Sequence, residues 1–450
     1  MRITVVGGGI SGLAAAHGLV ARGHDVVLLD AGAEPGGLIA SVRRDGFLCE
    51  HGPQAVLDGP EPTRALIDAA GLSARAQQAL PAARKRFVYV GGALRPFPAS
   101  PPALLKTSLL SLAGKLRLFA EPFVGRARQN DANSADESVL AFVTRRFGRQ
   151  AAERAAAPAL IGVFAGDAAA LSMRSALPRV AAMEREHGSI LRALARRKPG
   201  GGFGRPISFP DGLAELPAAL ALALADRRRA GRAAEIAPLA GGWRVVTETG
   251  ATIDSERLVL ATPAATTAAL LSPHAPAATA ALRAIPHAPV AVVCVGFLRA
   301  AAGVDIDIGI DLDAYGFVVA RGEGIRLLGC QYETSVFPDR APAGGVLLRA
   351  LLGGTFDPEL VDADDGAIAA QAVGDLRRAA GLTRDPDFID VWRARPGIPQ
   401  YDLSHAARAR AVDDAVARLP GLAVIGNALR GVGVNDCIAA AARVVAELAL

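Results

Sequence analysis

Near the start of the chain, Gly7-Gly8-Gly9-Ile10-Ser11-Gly12 places glycines at the spacing G-x-G-x-x-G, between an apolar run at 3–6 and an Ala/Leu-rich run at 11–22. A strand entering a helix through such a loop can hold a pyrophosphate. Gly7 permits the tight turn, Gly9 lets backbone approach the ligand, and Gly12 allows close helix–strand packing. The helix start then offers free N–H groups and the positive end of its dipole. Asp30 closes a second strand 18 residues after Gly12, where an acidic side chain accepts a hydrogen bond from an adenosine ribose. Ala31 leads on to Gly36-Gly37, which reads as a second close approach of backbone to ligand or as a solvated turn. At the other end of the chain, Gly426-Asn427, Gly431 and Gly433 precede a helix expected from Asp436. A second helix N-terminus among small residues suits a group that becomes negative on reduction; the alternative is a plain strand–helix loop.

These loops need elements to hold them. Residues 3–37 read as one βαβ unit, with Gly23 at the helix C-cap position. Residues 86–198 read as mostly helical, punctuated by Pro96, Pro98, Pro101 and Pro102. The polar run 129–134 reads as a mobile loop and 198–202 as a linker. A strand at 258–261 and a helix at 264–271 follow. Apolar runs at 290–297, 315–319 and 346–352 suggest a mixed sheet. A helix at 365–380 ends before Gly381, and a strand at 422–425 and a helix at 436–448 close the chain.

The 450 residues suggest two to four domains, and 51% hydrophobic with 21% charged residues describes a globular chain. Cys49, Cys294, Cys330 and Cys437 form no C-x-x-C pair, and the seven histidines no H-E-x-x-H. That excludes a disulfide scaffold, fits a reducing, cytoplasmic setting, and predicts no metal. A formal charge of +5 from 49 basic and 44 acidic residues is too mild for a nucleic-acid partner. Mean hydropathy of +0.29 calls for a membrane check. The longest uncharged stretch, 258–282, is broken by Pro263, Pro273 and Pro276, so no span is expected. No signal-peptide pattern opens the sequence. Residues 104–123 mix apolar residues with Lys106, Lys115 and Arg117, which suits either an interfacial helix or one packed on a neighbouring domain. No Ser-His-Asp set, paired carboxylates or reactive cysteine stands out, so no catalytic side chain is assigned and a bound cofactor is expected to carry the chemistry.

The continuation through Gly36-Gly37 resembles the extended motif of the glutathione reductase-type flavoproteins, and within them the flavin amine oxidase group. Further matches resemble the protoporphyrinogen oxidase family. They comprise Glu50-His51-Gly52-Pro53, the element from Arg86 through Tyr89 and Gly92 to Leu94, Ala165-Gly166-Asp167 with Leu171-Ser172, and the run 183–190. They continue with 337–342, Gly353-Gly354, Ile398-Pro399-Gln400-Tyr401, 419–422, Gly426-Asn427 and 431–438. In order and spacing they cover nearly the whole chain. Three positions depart from the family: Ser404 before His405, Leu429 where an aromatic is common, and Leu351 where a bulkier residue often stands.

The resemblance implies an α/β fold. It would have a glutathione reductase-type, Rossmann-like FAD domain (1–85, 206–286, 395–450), a mixed-sheet substrate domain (86–96, 287–394) and a helical insertion (97–205), a candidate for membrane association. It implies FAD contacts at Gly7, Gly9, Ile10, Ser11, Gly12, Asp30, Ala31, Gly36, Gly37, Leu38, Gly52, Pro53, Gln54, Ala55, Ile236, Gly426, Asn427, Val432, Gly433 and Val434. It places Arg86 on a substrate propionate, which the guanidinium fork suits, and Gly162, Val318 and Leu351 along the pocket. Without the family, Arg86 would read as a surface arginine and the other three as packing. The implied reaction is a six-electron oxidation of a porphyrinogen by oxygen in three flavin cycles, with hydride passing to flavin N5. Protoporphyrinogen IX is favoured over coproporphyrinogen III, which has four propionates instead of two; Arg349 or Arg326 is the candidate for an extra cation. The rivals are an amine oxidase or desaturase, which would need an aromatic cage, and a non-enzymatic flavin module. A homodimer and peripheral membrane contact are family expectations.

Overall fold

The computed structural model describes residues 1–98, 101–125, 136–196, 204–299 and 306–448; the polar run 129–134 and the linker 198–202 lie outside them. Five parallel strands form the first sheet, in the order Arg228–Ala230, Asp25–Asp30, Arg2–Val6, Arg257–Leu260, Leu422–Val424. Its Val/Leu/Ile-rich strands are covered on both faces, as a parallel sheet requires. Ile3, Val5, Leu28 and Val259 pack against the helices Ile10–Ala21, Glu215–Ala223 and Val434–Leu448 on one side. Val6, Leu29, Leu258 and Leu260 pack on the other against the three-stranded antiparallel sheet Ala233–Leu239, Gly242–Thr247 and Thr252–Ser255, and against the helices Ala264–Leu271 and Pro276–Arg283.

The second sheet has seven strands in the order Phe388–Pro399, His287–Phe297, Val346–Gly353, Gly329–Tyr332, Gly316–Val319, Phe87–Val90, Ala93–Pro96. All its pairs are antiparallel except Gly316–Val319 with Phe87–Val90. The helix Asp365–Ala380, capped by Asp364 and ended by Gly381 at φ 79°, covers one face. The hairpin Ser41–Arg44/Phe47–Glu50, turned by Asp45 and Gly46 at positive φ, packs on the other.

Between residues 101 and 195 the described chain is helical. The segment 104–123 is not one helix. It forms Pro101–Lys106, Leu112–Phe119 and a single turn Glu121–Phe123. Polar residues at the break explain this: Thr107 Oγ1 accepts the Leu109 N–H (3.2 Å), and Ser111 Oγ caps the next helix through Gly114 N–H (3.1 Å). Among the described residues no helix is long and apolar enough to cross a membrane.

Candidate active site

In a parallel sheet every strand delivers its following loop to the same edge. The loops after Val6, Asp30 and Val424 therefore meet at the carboxyl edge of the first sheet, the side on which such folds bind ligands. Gly7 adopts φ 110° and donates its N–H to Leu29 O (2.8 Å). A Cβ on Gly12 would stand 1.9 Å from Gly7 O, which is the close helix–strand packing that demands glycine. A Cβ on Gly8 would strike the Asp30 carboxylate at 2.1 Å, so the acid lies directly against the loop. Gly36 N–H donates to Gly8 O (2.9 Å), and Gly9 and Gly36 form a parallel bridge that lays the two glycine pairs side by side. Over Gly9 itself a Cβ would meet nothing within 4 Å. No protein neighbour demands glycine at Gly9, and its backbone is left open to approach.

The helices Ile10–Ala21 and Val434–Leu448 run parallel. Ser11 and Cys437 lie side by side near their starts, and a Cβ on Gly18 would touch Val445 at 3.1 Å further along. Both N-termini, with the positive ends of their dipoles, thus lie together at the cleft. Asn435 fixes the second one: its amide donates to Leu57 O (2.9 Å) and Thr63 Oγ1 (2.8 Å) and accepts from Leu57 N–H (2.9 Å). The preceding loop is also tethered. Tyr401 Oη donates to Asn427 O (2.5 Å), and His405 Nε2 lies 2.9 Å from Leu429 O, with the two rings stacked at 3.8 Å.

The segment 50–55 crosses from this edge to the second sheet. Gly52 packs on Leu38, where a Cβ would stand 1.7 Å from Leu38 O. Buried Arg349 donates Nε to Glu50 O (2.7 Å), Nη2 to Gly52 O (2.5 Å) and Nη1 to Gln331 Oε1 (2.7 Å). His51 Nε2 meets Asp390 Oδ2 at 2.6 Å and its ring stacks on Trp392; His51, then Arg44, holds the Asp390 carboxyl below the usual range. The Gln54 amide lies 2.6 Å from Tyr315 Oη and 2.6 Å from the buried Glu333 carboxylate. Desolvation pushes the Glu333 carboxyl up and the Glu50 carboxyl up to about 7.

Directly paired strand residues share a face. One row on the hairpin-facing side of the second sheet reads Trp392, Val292, Leu351, Gly329, Val318, Val88, Arg95. Gly329 stands between the half-buried Leu351 and Val318, where a Cβ would strike Phe317 O at 2.5 Å. Gly162, on the helix Ala157–Phe164, comes against Val318, where a Cβ would stand 3.3 Å from Cγ1. Two positions before Val88, exposed Arg86 places its guanidinium over the Tyr315 ring, 4.8 Å from the centroid, with no ion pair to a carboxylate among the described residues.

The four expected substrate residues therefore gather on one face, and the expected cofactor residues line one cleft edge, with one difference of role. The Ile236 side chain is fully buried in the core and its carbonyl faces His274 Nε2 (2.6 Å), so any contact it makes is through remaining backbone. Neither Arg349 nor Arg326 is a spare cation. The first is spent on Glu50, Gly52 and Gln331, and the second pairs with Asp357 at 2.6 and 2.9 Å. The roles of Arg349, Tyr315, Glu333 and Asp390 beneath this segment carried no local sequence signal. The half-buried apolar row of the second sheet suits an apolar ligand, and the cleft edge with its two helix N-termini suits an anionic one. Among the described residues no group of His, Cys, Asp and Glu could hold a metal ion.

The chain matches the flavin containing amine oxidoreductase family over residues 10–449. It is 30% identical to the chloroplastic protoporphyrinogen oxidase of Oryza sativa subsp. japonica, across 96% of this chain and 85% of that one. It is 26% identical to the coproporphyrinogen III oxidase of Bacillus subtilis, across 97% and 95%. A crystal structure from Exiguobacterium sp. 255-15, of a protein provisionally assigned as a protoporphyrinogen oxidase, superimposes with a TM-score of 0.83 at 26% identity, covering 100% of this chain and 98% of that one.

Proposed function

Since the chain belongs to the family of flavin-containing amine oxidoreductases, we propose that it oxidises a porphyrinogen to the porphyrin in porphyrin biosynthesis, with FAD as its cofactor and oxygen as electron acceptor. The observation that carries this reading is the face holding Leu351, Gly329 and Val318, closed by Gly162 and edged by the unpaired Arg86 guanidinium. A macrocycle that is apolar across its plane and carboxylated at its rim matches that arrangement in shape and charge.

FAD supplies the hydride acceptor when bound. The residues proposed to hold it are Gly7, Gly9, Ile10, Ser11 and Gly12 at the pyrophosphate, Asp30 and Ala31 at the ribose, and Gly36, Gly37 and Leu38 beside them. Gly52 to Ala55 would form the floor, and Gly426, Asn427, Val432, Gly433 and Val434 would stand at the second helix start, with Ile236 contributing backbone. The open space over Gly9 and the two adjacent helix N-termini fit an anionic dinucleotide. Arg86 would orient a propionate, and the apolar row would exclude water from the reacting carbon. No side chain is assigned as a catalytic base. The three-part division proposed from the sequence, peripheral membrane contact through exposed Leu112, Leu116 and Phe123, a homodimer and a cytoplasmic location belong to the same reading.

Protoporphyrinogen IX is the substrate favoured by the sequence, with coproporphyrinogen III second. An amine oxidase is disfavoured because Tyr401, the candidate aromatic for a cage, is buried and spent on Asn427 O and His405. The test is aerobic turnover of the purified yellow protein with both porphyrinogens, followed by porphyrin fluorescence against an autoxidation control. Rates above the control are expected. Autoxidation-level rates with both, despite bound FAD, would overturn the reading.

A further inference from the structure

Beyond Val318 the row on the second sheet ends at Arg95, and there a cavity of about 280 Å³ opens between the sheet edge and the helical region. Three arginines line it: Arg95, Arg154 and Arg321. None forms an ion pair with a carboxylate among the described residues. Arg95 donates Nε to Val90 O (3.1 Å), Arg154 makes one long contact to Leu109 O (3.4 Å), and Arg321 lies over the Phe356 ring at 3.3 Å. Two carboxylates share the lining, but each is turned elsewhere. Glu153 pairs with Arg149 (2.7 Å), and Glu323 accepts the Gly91 and Gly92 N–H groups (2.9 and 3.1 Å).

Against the carboxylates of Glu153 and Glu323 the three guanidinium groups leave the lining one positive charge in excess, and forks not bound to a carboxylate can take an anion. Burial already pulls the Arg321 pKa below the ordinary guanidinium value. The Ala320–Arg321 wall also borders a second cavity, about 170 Å³, lined by apolar Ile161, Leu328 and Phe356. The cationic cavity meets the face assigned to the macrocycle at Arg95, which pairs with Val88 in the same row.

We propose that Arg95, Arg154 and Arg321 form a second carboxylate-binding site, which takes propionate arms of the porphyrinogen that Arg86 does not hold and so favours a tetracarboxylate over a dicarboxylate substrate. This rests on the porphyrinogen reading above. It also gives the second-ranked substrate, coproporphyrinogen III, a specific structural advantage.

The test compares wild type with the double variant R154A/R321A and its charge-retaining counterpart R154K/R321K, each loaded with FAD. Two quantities are read: the ratio of kcat/KM for coproporphyrinogen III to that for protoporphyrinogen IX, and the Kd of coproporphyrin III by fluorescence titration. The alanine variant should lower the ratio and weaken coproporphyrin binding by about tenfold or more, since a hydrogen bond between charged groups is worth roughly that factor. The lysine variant should recover part of both. Turnover of both porphyrinogens with an unchanged ratio and an unchanged Kd would overturn the second site and leave the oxidase reading standing. Wild type with no turnover of either, but coproporphyrin binding lost in the alanine variant, would uphold the site and overturn the oxidase reading. Unequal FAD content among the variants would be read from the 450 nm absorbance and corrected before the ratios are compared, and R95K, which keeps a cation beside Val90, provides a third position with the same expected direction.

Discussion

Arg86 shows how little of a residue's role is fixed by its type. In a cluster with Arg84 and Lys85 it looks like ordinary surface charge, and Lys85 does pair with Asp313. Arg86 instead stacks on Tyr315, whose hydroxyl reaches Gln54 on the segment 50–55 and Gln331, the partner of Arg349. A cation held by a ring keeps its fork free for an acid, while its position is fixed by the hydrogen bonds of that ring. Replacing Arg86 with Ala should therefore raise KM for a porphyrinogen about tenfold, the loss of one charge-assisted contact, with FAD content unchanged. Lys in its place should recover only part, because an ammonium cannot bond a carboxylate bidentately. Steady-state kinetics with flavin absorbance checks both, and wild-type KM and kcat in the alanine variant would remove Arg86 from the anchor role.

At the scale of elements, the glycine loop works because strand, loop and helix constrain one another. Gly12 must approach Gly7 O, and Gly9 must face nothing. These two glycines predict different failures. Gly12→Ala forces a Cβ onto a carbonyl and should lower stability by about 1–3 kcal/mol. Gly9→Val, with open space around it, should fold with a near wild-type melting temperature for the flavin-free protein yet lose FAD retention. Thermal melts of flavin-free protein and the 450 nm absorbance after gel filtration separate the two, and a fully yellow Gly9→Val would reject the pyrophosphate cradle. Local rules made this unit legible: apolar strand, glycine spacing, helix and terminal acid all lie within 37 residues. The helix Asp365–Ala380 was equally legible, since its cap at Asp364 and stop at Gly381 are local signals. Residues 104–123 misled because an amphipathic pattern persists across Thr107 and Ser111, whose hydroxyls satisfy backbone N–H groups and end one helix before starting the next. Arg349 was illegible for a different reason: its partners at Glu50 and Gly52 stand about 300 residues away in sequence, and no local pattern announces such a contact.

Over the whole molecule, the two sheets are joined through buried charge. The Glu50 carboxylate, fully inside, accepts from Ser41 Oγ (2.5 Å) and Leu213 N–H (2.8 Å) and stands 3.8 Å from the Arg340 guanidinium, itself bonded to Ser208 Oγ (2.8 Å). One group thus links the hairpin under the second sheet to the helix and strand that cover the first. Desolvation outweighs Arg340 and the two hydrogen bonds, and the carboxyl is raised from 4.5 to about 7. For an acid whose folded pKa lies above its unfolded one, the folded state retains a proton that the unfolded chain has released. Glu50 therefore contributes stability that is full below pH 4.5, declines through the interval up to about 7, and is lost above it. The isosteric neutral Glu50→Gln keeps an acceptor for Leu213 and cannot titrate. Its unfolding midpoint in denaturant should gain on that of wild type as pH rises from 5 to 7 and hold a constant difference above pH 8. Glu333, also raised by burial, is present in both proteins, so its own pH dependence largely cancels in the comparison. A difference independent of pH across this range would mean that Glu50 is already ionised in the folded protein. The bridge between the sheets would then be a permanent ion pair with Arg340, in place of a protonated acid held by Ser41 and Leu213.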